Sequence, residues 1–438
     1  MKIGFISFPV PGHFNPMSAL ARQLQSRNQD VVMFSLPVGE SLARAANLPF
    51  VPFGEKEFPA EHSSEVIGTV SRLKGEEGLR FTVNAIAAAT EVKWRTLPNL
   101  LSSTGIDALV VDNYDFYGEI IPMRLGMPYA IVSNALHFDY SGYTPLCVFD
   151  WAHENTPEAR KRNRQGVSKF TQMLICSNAE VIAQAEKAGI KANWDDPSSL
   201  FSDRPWITQC PREFDFESSH WPQQFHHAGP FHDGKGRMEV PFPWDQLTGE
   251  PIVYASMGTV QTGNADIFRI IAASVSKHKG LQLVLSIGNI LNREQIGRVP
   301  NNAIVVNNAP QLELLKKASV CITHAGLNTV LEALTQGVPQ IAIPVTHDQP
   351  GVAARIADKK IGKTTSLYGL DASNLLKLLD EVLNNPIYRD NSRLIQKAIA
   401  KKNGLSLAAD LLEQAFGLTN KNEALVHRPL GVSRASAP

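Results

Sequence analysis

Short apolar runs alternate with longer segments whose apolar positions recur every three or four residues, and this alternation continues along most of the chain. In the first half, Ile3 to Phe8, Val31 to Ser35, Ala108 to Val111 and Tyr129 to Ser133 have the length and apolar content of strands. In the second half the corresponding runs are Ile252 to Ser256, Leu281 to Ile287, Ala303 to Val306, Ser319 to Thr323 and Gln340 to Ile343. Between them, Met17, Leu20, Ala21 and Leu24, and later Leu327, Val330, Leu331 and Leu334, have the spacing of one buried helical face. Gly337 fits the position just past a helix C-terminus. Strand, turn, helix and strand in succession predict βαβ units and hence an α/β chain with parallel sheets.

The first such unit turns at Pro9 to Phe14, and Asn15-Pro16 reads as an N-cap followed by proline at the first helical position. This puts His13 in a loop at the C-terminal edge of the first strand. From about Phe138 to Arg237 the periodicity fades. Aromatic residues gather there: Phe138, Tyr140, Tyr143, Phe149, Trp151, Trp206, Phe214, Phe216 and Trp221. Ala228 to Arg237 turns to Gly, Pro and charge, the composition of an interdomain linker. The expected division is therefore a domain over 1–235 and a second over 236–417. The final helices, near Ser392 to Lys402 and Ser406 to Phe416, are expected to cross the linker, and residues 418–438 to form a loose tail.

Bulk properties narrow the partners more than the fold. With 438 residues the chain is long enough for two to three domains. Its net charge is zero and it has no Lys/Arg cluster, so neither nucleic acid nor an anionic membrane is an expected partner. The start, Met1-Lys-Ile-Gly, lacks the form of a secretory signal, and no run approaches the length of a transmembrane segment. Cys147, Cys176, Cys210 and Cys321 show no CxxC pairing; Cys176 and Cys321 fall in apparent strands, as small buried hydrophobes. Together these features predict a cytoplasmic protein. His226 and His227 have no third ligand at suitable spacing and read as surface linker histidines.

Candidate chemistry concentrates in the run from Ser319 to Gln349. The turn after its first strand directs backbone N–H groups and a helix N-terminus above the sheet, an arrangement that favours an anion. The same turn carries His324, Asn328 and Thr329, which can donate to phosphate oxygens. Glu332 lies one helical turn on, where it can accept from ribose hydroxyls, and Asp348 with Gln349 return to the same edge after the next strand. A phosphate cradle with a carboxylate and a second carboxyl/amide pair predicts a nucleotide sugar as ligand. Asp112 also ends a strand, so a shared sheet would bring it to His13 and fix the imidazole tautomer. Asp115 is a rival for that role, whereas Asp107 precedes the strand and lies at the wrong edge.

The motif His324-Ala-Gly-Leu-Asn-Thr with Glu332, Gly337-Val-Pro, Pro344 and Asp348-Gln349, and with Ala309-Pro-Gln upstream, resembles the nucleotide-sugar signature of the family 1 glycosyltransferases. Gly12-His13-Phe-Asn-Pro16 resembles that family's N-terminal motif, and the run His347 to Arg355 is nearest in style to bacterial members acting on macrolides or zeaxanthin. The resemblance implies the GT-B architecture, two Rossmann-like domains facing each other across a cleft. It further implies an inverting transfer of a hexose from a UDP-sugar, with UDP-glucose first among donors, to a hydroxyl of a small hydrophobic acceptor. His13 would be the general base and Asp112 its support. Ser256, Gly258, Thr259, Ala309, Gln311, His324, Gly326, Asn328, Thr329, Glu332, Asp348 and Gln349 would bind the donor. The resemblance implies that no metal is required, in keeping with the lack of a DxD-like acidic cluster. Asn308 stands where many members place a base-stacking Trp, which leaves uracil and thymine both open. The same architecture serves nucleotide-sugar epimerases, and a protein that only binds the nucleotide sugar is a third reading.

Overall fold

A computed structural model describes residues 1–418, apart from the side chains of residues 62–64. Among these residues thirteen strands form two sheets, each parallel throughout. The first contains β1 (Lys2–Ile6), β2 (Asp30–Ser35), β3 (Phe50–Pro52), β4 (Ala108–Asp112), β5 (Tyr129–Ser133), β6 (Trp206–Thr208) and β7 (Phe225–His227), in the order β3-β2-β1-β4-β5-β6-β7. The second contains β8 (Ile252–Ser256), β9 (Gln282–Ser286), β10 (Ala303–Val306), β11 (Ala318–Thr323), β12 (Gln340–Ala342) and β13 (Gly362–Thr364), in the order β10-β9-β8-β11-β12-β13. Every residue of β4, β5, β8 and β9 is buried. Helices cover both faces of such strands, which explains why the sequence reads as continuous apolar runs rather than alternation.

Both sheets follow the doubly wound order in which the chain reverses direction after its third strand. The reversal falls between β1 and β4 in one sheet and between β8 and β11 in the other. Helices leaving these strand pairs go to opposite faces, and the crevice between them is where open α/β sheets bind ligands. The fold therefore supplies two such crevices, one per sheet, before any side chain is considered.

Local differences from the sequence expectation have identifiable causes. The first helix spans Pro11–Gln25 with Val10 as N-cap, so His13 lies in its first turn rather than in a loop, and Pro16 is inside the helix. Proline at that position lacks the N–H that would pair with the Gly12 carbonyl one turn earlier. The weakly periodic stretch after Phe138 contains two helices, Pro157–Ser177 and Ala179–Lys187. The buried face of the first includes Asn163, Gly166 and Thr171 alongside Val167, Phe170 and Leu174. Polar and small residues in the face dilute the apolar period, although Thr156 caps the helix by accepting from the Ala159 N–H at 3.1 Å. Cys176 sits on this helix and is exposed, not in a strand, whereas Cys321 lies buried in β11.

Of the last two helices, Pro386–Ala400 packs on the Leu327–Thr335 helix of the second half, and Gly404–Ala415 packs on the first helix of the chain. Leu405, Ala408, Ala409 and Leu412 join Phe14, Leu20 and Leu24 in one apolar cluster, so the end of the described chain packs on the first helix. Arg27 reinforces the contact by donating to Asp410 at 2.6 Å and Glu413 at 2.7 Å. The expected loose tail, residues 418–438, lies outside the described residues except for Leu418. No helix among the described residues is long and apolar enough to cross a membrane.

Candidate active site

At the first crevice, His13 from the helix after β1 meets Asp112 at the end of β4. The His13 Nδ1–H donates to Asp112 Oδ2 at 2.8 Å, and Nε2 is left to accept a proton. The carboxylate is itself fixed: Oδ2 accepts from the Asn134 amide at 3.0 Å and Oδ1 from the Tyr114 N–H at 3.0 Å. Burial alone would lower the His13 pKa. The charge and hydrogen bond of Asp112, with the more distant Asp348, outweigh it and raise the imidazole above its ordinary value. Tyr114 packs edge-on against the imidazole, with ring centroids 5.1 Å apart. Asp115, the rival carboxylate, is paired with Lys93 in the interior instead. Asp107 receives the Lys2 N–H at 2.7 Å at the far end of the strands.

The second crevice is built from small residues and donors. Gly258, just past β8, has φ +78°, and a Cβ there would lie 2.5 Å from the His324 ring. A Cβ on Gly326 would strike the same ring. Only glycine fits at these two positions while His324 keeps its place. Ala325, between His324 and Gly326, is in the left-handed region at φ +65°, and its N–H donates to Thr323 Oγ1 at 3.2 Å. Such a turn directs successive N–H groups into one concavity. Burial holds the His324 pKa down to about 4, so the ring is neutral near pH 7. Ser256 Oγ accepts from the Gly258 N–H at 3.2 Å, and Thr259 is exposed.

Further along the Leu327–Thr335 helix, Glu332 is buried, with Gln311 Nε2 donating to it at 2.6 Å and Arg237 paired to it from the linker. Gln311 also donates to Thr329 Oγ1 at 3.3 Å. It is thus joined to the expected ribose carboxylate. Ala309 packs against the apolar cluster beneath β8, while Asn308 is exposed and donates to Asn289 at 2.8 Å.

Several of the expected donor residues touch the other half of the chain. The Asn328 amide donates to the Gly12 carbonyl, the group that Pro16 leaves without a helical partner, and Asn328 Oδ1 accepts from Gln209 at 2.7 Å. Asp348 Oδ2 accepts from the Leu136 N–H at 2.9 Å. Gln349 turns inward, its side-chain oxygen accepting from the N–H groups of Val345 at 2.8 Å and Thr346 at 3.1 Å. Sequence reading passed over Asn134, Gln209, Arg237 and Tyr114. Of these, Gln209 and Asn134 each directly follow a strand of the first sheet, which is the signal that could have marked them. Among the aromatics after Phe138, Phe138 and Phe214 are core, whereas Phe149 lines a cavity of about 470 Å³ with Pro344, Pro350 and Ala353.

One expectation needs correction. The resemblance implied that no metal is required, yet His137, Cys210 and Asp215 lie buried with one ligand atom each, all within 4.8 Å of one another, a geometry that fits a metal ion. These residues are 73 and 5 positions apart in the sequence, and β5 and β6 bring them together. His227 is not a surface linker residue either. It belongs to β7, and its Nε2 is 3.6 Å from Asp215 Oδ2.

A family model described as UDP-glucoronosyl and UDP-glucosyl transferase matches residues 211–401. A zeaxanthin glucosyltransferase of Pantoea ananas is 27% identical, over 94% of this chain and 95% of its own length. Among solved structures, the glycotransferase of kitacinnamycin has a TM-score of 0.72 at 19% identity, covering 94% of this chain and 98% of its own. The calicheamicin glycosyltransferase has a TM-score of 0.69 at 19% identity, covering 95% and 98%. Two facing crevices on two parallel sheets, a signature-bearing second half and relatives matched over nearly their whole length converge on one class. The chain is a GT-B-fold glycosyltransferase related to the bacterial natural-product glycosyltransferases of the macrolide and zeaxanthin type.

Proposed function

We propose that this enzyme transfers a hexose, glucose from UDP-glucose in the first instance, to a hydroxyl of a small hydrophobic natural product, with inversion at the anomeric carbon. The observation that carries the reading is the 2.8 Å bond between His13 and Asp112 in the first crevice, one residue from the Gly12 carbonyl that holds Asn328 of the second. A base and a phosphate cradle on opposite walls of one cleft suit a single displacement.

In this mechanism the acceptor hydroxyl approaches from the side of residues 1–235, and His13 Nε2 takes its proton as the oxygen attacks C1 of the sugar. Asp112 keeps the proton on Nδ1 and stabilises the imidazolium that forms. The diphosphate leaves from the other face, within 236–417. Its developing charge is met by Ser256, Thr259, His324, Asn328, Thr329 and the N–H groups at Gly258 and Gly326. Glu332 accepts from the ribose, with Arg237 displaced from it. Gln311 orients that carboxylate, and Ala309 lies on the base side. Asp348 and Gln349 face the sugar once the contacts to Leu136 and to the Val345–Thr346 backbone rearrange. One displacement converts an α-linked donor into a β-glycoside.

The acceptor class rests on the relatives' names, which specify zeaxanthin, kitacinnamycin and calicheamicin, and on the partly apolar cavity beside Phe149. The test is incubation with UDP-glucose and a panel of carotenoid, macrolide, flavonoid and sterol alcohols. Mass spectrometry should find a hexose adduct, and proton NMR of the product should give a β-anomeric coupling. An α-glycoside would overturn inversion, and transfer at the full rate by His13→Ala would overturn the base.

A further inference from the structure

We propose that His137, Cys210, Asp215 and His227 form a binding site for one zinc-class divalent cation, held beneath the cleft and structural in role. The site is assembled by three neighbouring parallel strands: His137 follows β5, Cys210 and Asp215 follow β6, and His227 ends β7. His137, Cys210 and Asp215 are essentially inaccessible to solvent. His137 Nε2 lies 3.1 Å from Asp215 Oδ2, and His227 Nε2 lies 3.6 Å from the same oxygen. Those separations suit edges of a tetrahedron whose centre is about 2 Å from each donor. His137 Nε2 and Asp215 Oδ2 both lack a hydrogen-bond partner of good geometry, although buried polar atoms are nearly always paired.

Outer contacts occupy the other atom of His227, His137 and Asp215, while the Cys210 thiol donates to the Pro211 carbonyl at 3.7 Å. His227 Nδ1 is 3.1 Å from the Cys210 carbonyl, so it carries the proton and donates, and Nε2 presents a lone pair. His137 Nδ1 is 3.2 Å from Thr208 Oγ1, a hydroxyl that can accept from it and so leave Nε2 for a metal. Arg355 donates to Asp215 Oδ1 at 2.8 Å and leaves Oδ2 free. Lone pairs from two imidazoles and a carboxylate oxygen then converge on one point. Their repulsion is relieved by a metal ion between them or by a proton on one ring, and metal content tells the two apart. Second partners that fix tautomer and orientation in this way are the usual companions of metal ligands. Trp221 and Phe225 pack against the His137 ring with centroids 4.8 and 5.0 Å away, excluding water.

The donor set decides the ion. Two imidazole nitrogens, one thiolate and one carboxylate suit zinc, whereas magnesium and calcium take oxygen donors. On binding, the Cys210 S–H bond breaks, its proton passes to bulk water and a sulfur–metal bond forms, with no change of oxidation state. Three ligands are already gathered, and His227, with Nε2 3.6 Å from Asp215 Oδ2, would complete the set by a small shift and leave no position open for a substrate. Because Arg355 comes from the Gln349–Asp358 helix of the second half, the ion would stiffen the joint between the halves through Asp215.

The chain purified without a histidine tag and dialysed against a weak chelator is expected to retain about one zinc per molecule by plasma mass spectrometry. Replacing zinc with cobalt(II) should give the intense visible bands of a tetrahedral site and a thiolate-to-cobalt charge-transfer band in the near ultraviolet. Cys210→Ala leaves the Asp215–Arg355 pair intact and should abolish the charge-transfer band and lower retained zinc to under about a tenth. Asp215→Asn is the second variant, and circular dichroism on both separates loss of metal from loss of fold. If the native protein holds no metal, and none is taken up stoichiometrically on refolding with zinc, a protonated histidine fills the gap and the proposal fails. It also fails if metal is retained to the same extent by Cys210→Ala.

Discussion

The crevice between β1 and β4 and the crevice between β8 and β11 share one topology, and the chain furnishes them in opposite ways. At the first, a titratable ring is tethered by a carboxylate that two further donors hold, so the proton affinity of one atom is what the site controls. At the second, glycines at 258 and 326 clear space around a histidine kept neutral by burial, and the proposed ligand-binding element is the backbone itself. In the proposed mechanism the same strand order supports a base in one case and an anion cradle in the other. The difference lies in which side chains occupy the first turn after each strand, and it predicts that damage to either crevice is separable from damage to its counterpart.

The sharpest way to break that separation is His13→Ala, expected to lower turnover by roughly 100- to 10,000-fold while leaving UDP binding by calorimetry unchanged. If UDP affinity fell with it, the two crevices would not be independent. Asp112→Asn should cost about 100-fold and carries a pH signature. As the proposed base His13 would work deprotonated, and its pKa is raised, so kcat/KM should climb with pH through a midpoint above the ordinary imidazole value. Without the carboxylate that midpoint should move to lower pH, and an unmoved acid limb would detach Asp112 from the base. Gly258→Ala should weaken UDP binding by at least about ten-fold, since a left-handed alanine costs about 1–2 kcal/mol and its Cβ meets the His324 ring. Asn328→Ala should weaken UDP binding about ten-fold, for about 1–1.5 kcal/mol of lost hydrogen bonding. The smallest effect is expected from Arg237→Ala. Freeing Glu332 from the linker should tighten UDP binding by about threefold, and weaker binding would make Arg237 a ligand contact.

The sheets and the motif turns were legible because buried parallel strands leave runs that need no knowledge of their neighbours. Tyr129–Ser133, Ile252–Ser256 and Ala303–Val306 are bounded in the fold as their sequence suggests. The helix carrying Val167 and Phe170 was not, because Asn163, Gly166 and Thr171 share its buried face and hide its period. Tertiary partners were less accessible still. Nothing in the local sequence ties Arg237 to Glu332 or Gln209 to Asn328, which are 95 and 119 positions apart. The His137, Cys210 and Asp215 cluster escaped for the same reason, since ligand spacing along a chain has no fixed pattern when segments after two adjacent strands supply the ligands.

Proline inside the first helix is ordinarily read as a defect. Here the imino acid at position 16 strips one oxygen of its customary donor and leaves it facing outward, where Asn328 engages it. A latch between the two lobes thus originates in a missing hydrogen on the opposite side of the helix turn. Restoring that hydrogen with alanine would give the oxygen a competing partner at home, and a gain in helical regularity would weaken the Asn328 contact.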